Sequence, residues 1–213
     1  AKSLVARGIY SQTDIDNTEP IVHIETMISR WLYRFTLLGM NPRYASDTKD
    51  RVYSALRSSD LLNLKSDNRK IIVTLSPDDT TKKEGIYDLG IALSCISCID
   101  KNLPTQNMLA IGGLSISGKI LSTKRIYQAI YTAHLKQISI IVCSEEDKQT
   151  LDEKTLEALS GFGIQIISAI YLREVVSLLK TYISQDKTDV PETSHSILIS
   201  LKPNIKKIYL EDM

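Results

Sequence analysis

The sequence predicts a single α/β (α+β) domain with a C-terminal linker, and three observations carry that expectation. From residue 109 onward, short apolar runs alternate with amphipathic stretches in the order β-β-α-β-α-β-α, the grammar of an α/β unit. Residues 71–75, Ile-Ile-Val-Thr-Leu, are an apolar, β-branched run between Lys70 and Ser76-Pro77, the strongest strand signal in the chain. Residues 87–99 are apolar nearly all round, which predicts a helix buried on every side rather than one with a wet face.

Taken in order, residues 4–10 are mildly apolar and lead into 11–18, a polar run of turn formers. Ile21, His23, Glu25 and Met27 then alternate with Val22, Ile24, Thr26 and Ile28. A strand is expected there, but both sets carry apolar members, so its buried face stays open. Residues 35–39, Phe-Thr-Leu-Leu-Gly, are a second short apolar run closed by glycine. After Pro42, the recurrence of Tyr44, Ala45, Thr48, Val52, Ala55 and Leu56 at helical spacing predicts a helix over 44–56. The polar residues 78–85 separate the 71–75 strand from the buried helix.

Leu109-Ala110-Ile111 and Gly112-Gly113 precede 114–121, where Leu114 and Ile116 alternate with Ser115 and Ser117; strand, turn, strand is the expectation. A helix over 124–137 carries Ile126, Ile130, Ala133 and His134 on one stripe. There follow a buried strand at 138–143, a short helix at 151–159, a strand at 164–167 and a closing amphipathic helix at 172–183. Residues 185–194 are a polar linker with Pro191, and the apolar islands 197–201 and 208–210 are too short for a second core. The domain is therefore placed at 1–183, and the linker and tail at 184–213.

Across 213 residues, 26 Lys and Arg stand against 25 Asp and Glu, a net charge of +1, with 43% hydrophobic and 24% charged residues. That mixture excludes wholesale disorder. So even a balance gives no chain-wide electrostatic footprint for nucleic acid or an anionic membrane. No apolar run approaches the roughly 20 residues a membrane span needs, and the N-terminal residues lack a secretory-signal pattern. Three cysteines, an odd number, fit a reducing compartment, so the expectation is a cytoplasmic protein without membrane contact.

Several motifs invite chemistry that their surroundings do not support. Gly113 and Gly118-Lys119 have the spacing of a phosphate-binding loop, but Ile120 stands where a hydroxyl would hold magnesium. The residues between the glycines alternate like a strand, so a hairpin is expected instead. Cys95 and Cys98 have the spacing of a zinc or redox pair, yet Cys143, His23, His134 and His195 are scattered singly and complete no tetrad. Both thiols are expected to be buried small side chains. His134 belongs to an apolar stripe, and no serine sits in a nucleophile-elbow frame. Asp78, Asp79, Lys82, Lys83 and Glu84 read as a solvated loop able to carry function, and Lys202, Lys206 and Lys207 as a basic patch without interleaved aromatics.

A further set of segments, in one order and at nearly gap-free spacing, resembles a single family. Phe35-Thr36-Leu37-Leu38-Gly39-Met40 resembles F-T-I-V-G-L, and Asp50-Arg51-Val52-Tyr53-Ser54-Ala55-Leu56 resembles E-R-V-R-A-A-L. Residues 71–77 followed by Asp79 resemble I-T-V-N-L-A-P-A-D. Lys83-Glu84-Gly85, Tyr87-Asp88-Leu89 and Ile91-Ala92-Leu93 are similar to K-E-G…F-D-L-P-I-A-L. Residues 112–118 sit where G-E-L-x-x-x-G is found, and Leu172-Arg173-Glu174-Val175-Val176 is similar to a closing L-x-E-V. Over roughly residues 4–183 the chain resembles the N-terminal domain of the YifB/ComM family of magnesium-chelatase-like AAA+ ATPases.

The resemblance implies a fold like the proteolytic domain of Lon proteases, related to the ribosomal-protein domain-2-like fold. Lon uses a Ser-Lys dyad, in which a lysine of lowered pKa deprotonates the serine. The resemblance puts the serine position at Asp88 and the lysine position near Gln128 or Ala129. An aspartate cannot be the acyl nucleophile of that reaction, and neither Gln128 nor Ala129 can be its base. A non-catalytic domain is therefore expected, with no cofactor of its own; ATP and Mg would belong to a following ATPase module.

The implied partners are that AAA+ module in cis, further copies in a hexamer, and DNA indirectly, during its processing in natural transformation. The family's G-L-P-G is replaced by Trp31-Leu32-Tyr33-Arg34, its Gly-Glu by Gly112-Gly113, and its P-V-R-G by Ser122-Thr123-Lys124-Arg125. Trp31, Tyr33, Arg34, Lys82 and Lys83 are the candidate interaction residues. Residues 210–213 resemble the first half of the junction to the motor, which implies an excised domain or a truncated gene product. Two other readings stay open: a hydrolase using Asp88 with Lys82 or Lys83, and a nucleic-acid-binding module using Arg69, Lys70, Lys82, Lys83 and the tail lysines.

Overall fold

Among the described residues, seven strands form one mixed sheet, and a separate two-stranded hairpin stands beside it. The computed structural model describes residues 4–12, 21–30, 32–63, 68–76, 85–103 and 107–185. Along the chain these are β1 (Leu4–Gln12), β2 (Ile21–Arg30), β3 (Arg34–Leu38), α1 (Pro42–Ser58), β4 (Arg69–Ser76), a 3-10 turn (Gly85–Tyr87) and α2 (Asp88–Ser97). There follow β5 (Met108–Ala110), β6 (Gly113–Leu114), β7 (Ile120–Leu121), α3 (Ile126–Leu135), β8 (Ile140–Ser144), α4 (Glu145–Gln149), α5 (Glu153–Gly161), β9 (Gln165–Ala169) and α6 (Leu172–Gln185). The closing helix runs to Gln185, two residues into the predicted linker; the rest of the linker and tail, with Lys202, Lys206 and Lys207, lies outside the described residues. No helix among the described residues is long and apolar enough to cross a membrane.

The sheet has two halves of different character. β2 pairs antiparallel with β1 and with β4, while β3 joins β4 in parallel. From β1 onward, β5, β8 and β9 are all parallel. Alternate side chains of β5 and β8 enter two different cores: Met108, Ala110, Ile140 and Val142 the larger, and Leu109, Ile111, Ile141 and Cys143 the smaller. Every residue of β8 is buried, the continuous apolar run that a strand covered on both faces requires.

The larger core lies under α1, α2 and α6; the smaller lies under α3 and α5. In the β3-β4-β2 half, the described helices cover mainly one face. Val22, Ile24, Thr26 and Ile28 point inward, which settles the face the sequence left open. The opposite set is half-buried: Ile21 packs against the smaller core, while Met27 pairs with Ile72 farther along the surface.

Local sequence explains the helices. Asn41 caps α1, its Oδ1 accepting from the Arg43 amide at 3.1 Å, and Pro42 occupies the first turn, so the helix begins ahead of the predicted 44. Its buried residues are Ala45, Thr48, Val52, Ala55 and Leu56, the predicted stripe without Tyr44. All ten residues of α2 are buried, as its all-round apolarity required. α2 lies close on the sheet because Gly90 has no side chain; a Cβ there would come 2.7 Å from Ile24 Cδ1. Its polar groups are met by β2: Ser94 Oγ donates to Thr26 Oγ1 at 2.7 Å and Cys98 Sγ to the Thr26 carbonyl at 3.2 Å.

α4 was not anticipated; Ser144 caps it by accepting from the Asp147 amide at 3.0 Å. The segment after Gly112 is a hairpin, Gly113 opposing Leu121 and Leu114 opposing Ile120, but the predicted strand over 114–121 is broken: the alternating residues 115–118 form its turn, with Ile116 exposed, because two-residue strands leave them no partner to pair with.

Gly39 turns the chain from β3 toward α1 at φ +80°, and a Cβ there would fall 2.0 Å from the Leu75 carbonyl oxygen. Gly39→Ala is expected to cost about 2–4 kcal/mol, from left-handed backbone strain plus overpacking. Urea denaturation followed by circular dichroism measures it; a loss under about 1 kcal/mol would mean the turn relaxes freely.

Candidate functional site

Asp88, at the position the resemblance assigns to Lon's serine, opens α2 directly after the 3-10 turn and is fully buried. Arg51 reaches it from α1: Nε donates to Oδ2 at 2.6 Å and Nη2 to Oδ1 at 3.2 Å. Nη2 also donates to Thr48 Oγ1 at 3.1 Å, one helical turn earlier. The Leu114 amide of β6 donates to Asp88 Oδ2 at 3.3 Å. Gly85 leaves the space for this pair, since a Cβ there would lie 3.1 Å from Arg51 Nη2 and 3.2 Å from Asp88 Oδ2.

Burial pushes the Asp88 carboxyl above the ordinary range, while the Arg51 guanidinium and the Leu114 amide pull against it. The same hydrogen bond raises Arg51. Both carboxylate oxygens are engaged by Arg51, Oδ2 also by the Leu114 amide, and the Thr48 side chain hydrogen-bonds the carboxyl as well. The chemistry of this arrangement is that of a strut joining α1, α2 and the hairpin. A proton taken up by Asp88 would have to displace the guanidinium.

A second buried carboxylate holds the loop between β7 and α3. Asp147, fully buried at α4, accepts through Oδ1 from Ser122 Oγ at 2.7 Å and the Lys124 amide at 3.0 Å. Through Oδ2 it accepts from Ser144 Oγ at 2.8 Å and the Thr123 amide at 3.2 Å. Lys124 is thereby held at φ +57°, a conformation uncommon for a non-glycine residue. The loop is the one where Ser122-Thr123-Lys124-Arg125 departs from P-V-R-G, and the departing Ser122 supplies the shortest of these bonds.

A cavity of about 550 Å³ lies at the C-terminal ends of β8 and β9, lined among others by Glu145, Ser168, Ile170, Arg173, Glu174 and Leu178. Ser168 Oγ donates to Glu145 Oε2 at 2.6 Å. Glu174 Oε2 accepts from the Ile170 and Tyr171 amides at 3.2 and 3.0 Å, capping α6.

The remaining predicted residues fall in different places. Ala129 is fully buried in the smaller core, so the sheet separates α3 from Asp88 and α2. Tyr33 is half-buried against Tyr53, with ring centroids 5.9 Å apart at 57°, and burial pushes its phenol up. Arg34 is exposed at the start of β3. Trp31, Lys82 and Lys83 lie outside the described residues. His134 packs edge-on to Phe162 at 5.3 Å, an edge histidine as expected.

Sequence reasoning quoted Arg51 in a motif but gave it no partner, and it missed Asp147. The Ser144…Asp147 spacing is a capping signal and could have revealed α4.

Among the described residues no group of three or more His, Cys, Asp or Glu is placed to hold a metal. Cys95, Cys98 and Cys143 are free and buried. Burial pushes the Cys95 thiol up strongly, and that of Cys143 to about 12.

A family model described as "Subunit ChlI of Mg-chelatase" matches residues 24–147, more than half of the chain. The competence protein ComM of Haemophilus influenzae is 27% identical over 151 residues, which cover 70% of this chain and 28% of that protein. The uncharacterized protein YifB of Salmonella typhimurium is 26% identical over 140 residues, covering 64% and 27%. YifB of Escherichia coli K12 is 24% identical over 145 residues, covering 66% and 28%. The chain thus spans little more than a quarter of the length of these curated relatives.

Two outcomes are expected of this geometry. Arg51→Met, which strands a buried carboxylate, should cost about 3 kcal/mol, while Arg51→Met/Asp88→Leu should return to within about 1–2 kcal/mol of the parent. Additive losses in urea denaturation would mean the two residues do not act as a pair. Iodoacetamide at pH 8 should label the native thiols at least about 100-fold more slowly than the urea-unfolded chain, as raised thiol pKa and burial require. Fast native labelling of Cys95 or Cys98 would reopen redox or metal chemistry there.

Proposed function

Because the chain belongs to the Mg-chelatase ChlI-subunit family, with ComM and YifB among its relatives, we propose that it is a structural and interaction domain of a ComM-like AAA+ ATPase. The observation that carries the reading is the Arg51–Asp88 pair. Where a Lon-like protease would present its serine, this chain presents a carboxylate locked to a guanidinium, and the sheet lies between it and Ala129.

In this reading the domain is Lon-like in fold and non-catalytic, and it serves by packing. Its partners are an ATPase module in cis, which holds ATP and Mg, and further copies of the same protein in a ring. The process is DNA handling in natural transformation, after the name the Haemophilus relative bears. Residues 1–183 are the folded domain and 184–213 the connection toward the module, in the cytoplasm.

The buried contacts of α2 support a scaffold of this kind: a helix buried at every residue positions its neighbours and leaves none of its own side chains to solvent. The measurement is enzymatic. The chain should turn over neither casein nor fluorogenic peptides, and Asp88→Ala should lower the melting temperature with no activity to lose. Peptide hydrolysis abolished by Asp88→Ala while the fold persists would sink the reading. ATP turnover should appear only when the chain is expressed in frame with the ATPase module of its gene.

A further inference from the structure

The cavity at the C-terminal ends of β8 and β9 is lined by charges that the fold leaves unmatched. Glu145, the first residue of α4, spends Oε2 on the Ser168 hydroxyl at 2.6 Å, and its Oε1 has no partner among the described residues. Glu174 spends Oε2 on the Ile170 and Tyr171 amides at 3.2 and 3.0 Å, so the first turn of α6 is already closed and does not itself invite an anion. Arg173 makes no ion pair among the described residues, although both glutamates line the same cavity as its own side chain.

Apolar surface stands beside these charges. Ile170 and Leu178 also line the cavity, and at 48% and 46% exposed they are among the large aliphatic side chains that the core does not take in. The volume of about 550 Å³ lies in the range of small-molecule sites rather than that of a single ion. β8 and β9 are parallel, so their carboxyl ends lie side by side here, the end at which α/β sheets hold their ligands. Two carboxylates to one guanidinium disfavour a polyanion such as a nucleotide, and no aromatic ring lines the cavity to stack on a base.

We propose that this cavity binds a zwitterionic α-amino acid with a branched aliphatic side chain. The ligand's carboxylate lies on the Arg173 guanidinium, its ammonium on the free oxygen of Glu145, and its side chain against Ile170 and Leu178. A zwitterion answers both charges at once, through charge-assisted hydrogen bonds. A simple cation would leave Arg173 unpaired, and a simple anion would leave Glu145 unpaired. The site is built from the chain's own residues and needs no ATPase module, so its failure would leave the scaffold reading standing.

Isothermal titration calorimetry of the full chain with L-leucine tests it. Leucine should bind saturably with a Kd of about 1 mM or tighter. Leucinamide lacks the carboxylate, and N-acetyl-leucine lacks the ammonium, as the C-terminal residue of a peptide does; each should bind at least about tenfold more weakly. Arg173→Gln should erase the preference for leucine over leucinamide, and Glu145→Gln the preference for leucine over N-acetyl-leucine. Both variants should melt within about 2 °C of the parent, because Arg173 is exposed and a glutamine at 145 still accepts from Ser168. Lys136→Gln, which alters an exposed cation at the end of α3, should bind leucine as the parent does. The comparison of the three ligands on the parent chain needs no variant, so it stands whatever a substitution does to folding. No saturable binding of leucine by about 20 mM, or leucinamide or N-acetyl-leucine binding as tightly as leucine, or no loss in either cavity variant, would each overturn the proposal.

Discussion

The Arg51–Asp88 pair ties together three elements that meet around the larger core. α1 packs over the edge half of the sheet, α2 lies on the same face against β1 and β2, and the β6-β7 hairpin stands beside the main sheet. One carboxylate takes bonds from α1 and from β6 while opening α2. Taking such a group out of water is costly unless its lone pairs are filled, so the pair fixes the relative placement of all three elements. Asp147 repeats the device at the loop that follows β7, with amides and hydroxyls in place of a guanidinium.

The first of these carboxylates sits at a position where the local backbone already favours negative charge. A helix N-terminus facing a hairpin favours negative charge through its free amides and dipole. Here the Asp88 carboxylate, paired with Arg51, occupies it, and the pair acts as a joint. The membership of the Mg-chelatase ChlI-subunit family rests on sequence over residues 24–147, a span that contains the joint from Arg51 to Leu114 and ends at Asp147.

What could be read in the sequence follows from how local each feature is. The 71–75 strand, the all-buried α2 and the stripe of α1 are written in contiguous residues, and the structure places them as expected. The face of β2 was undecidable from alternation because Ile21 belongs to the outward set yet still finds the smaller core. β1 looked only mildly apolar, and nothing local announced a strand in the interior of the sheet. The partners that define the candidate site were invisible for a different reason. Arg51 and Asp88 lie 37 residues apart, and Ser122 and Asp147 lie 25 apart. Residue type alone does not say which distant carboxylate a guanidinium will find.

The place of β1 carries a consequence for how the chain acquires its shape. It precedes every other described strand in the chain, yet it sits in the interior of the sheet, antiparallel to β2 on one side and parallel to β5 on the other. Its hairpin with β2 can close as soon as both have left the ribosome, but its other edge must wait for Met108 and Leu109, nearly a hundred residues later. Until then β1 is a bare edge, and the long loop it must close makes that step slow. The two halves of the molecule are thus joined along a seam formed by the N-terminal segment. Proteolytic trimming there would not shorten a border; it would cleave the sheet through its interior and part the helices above it.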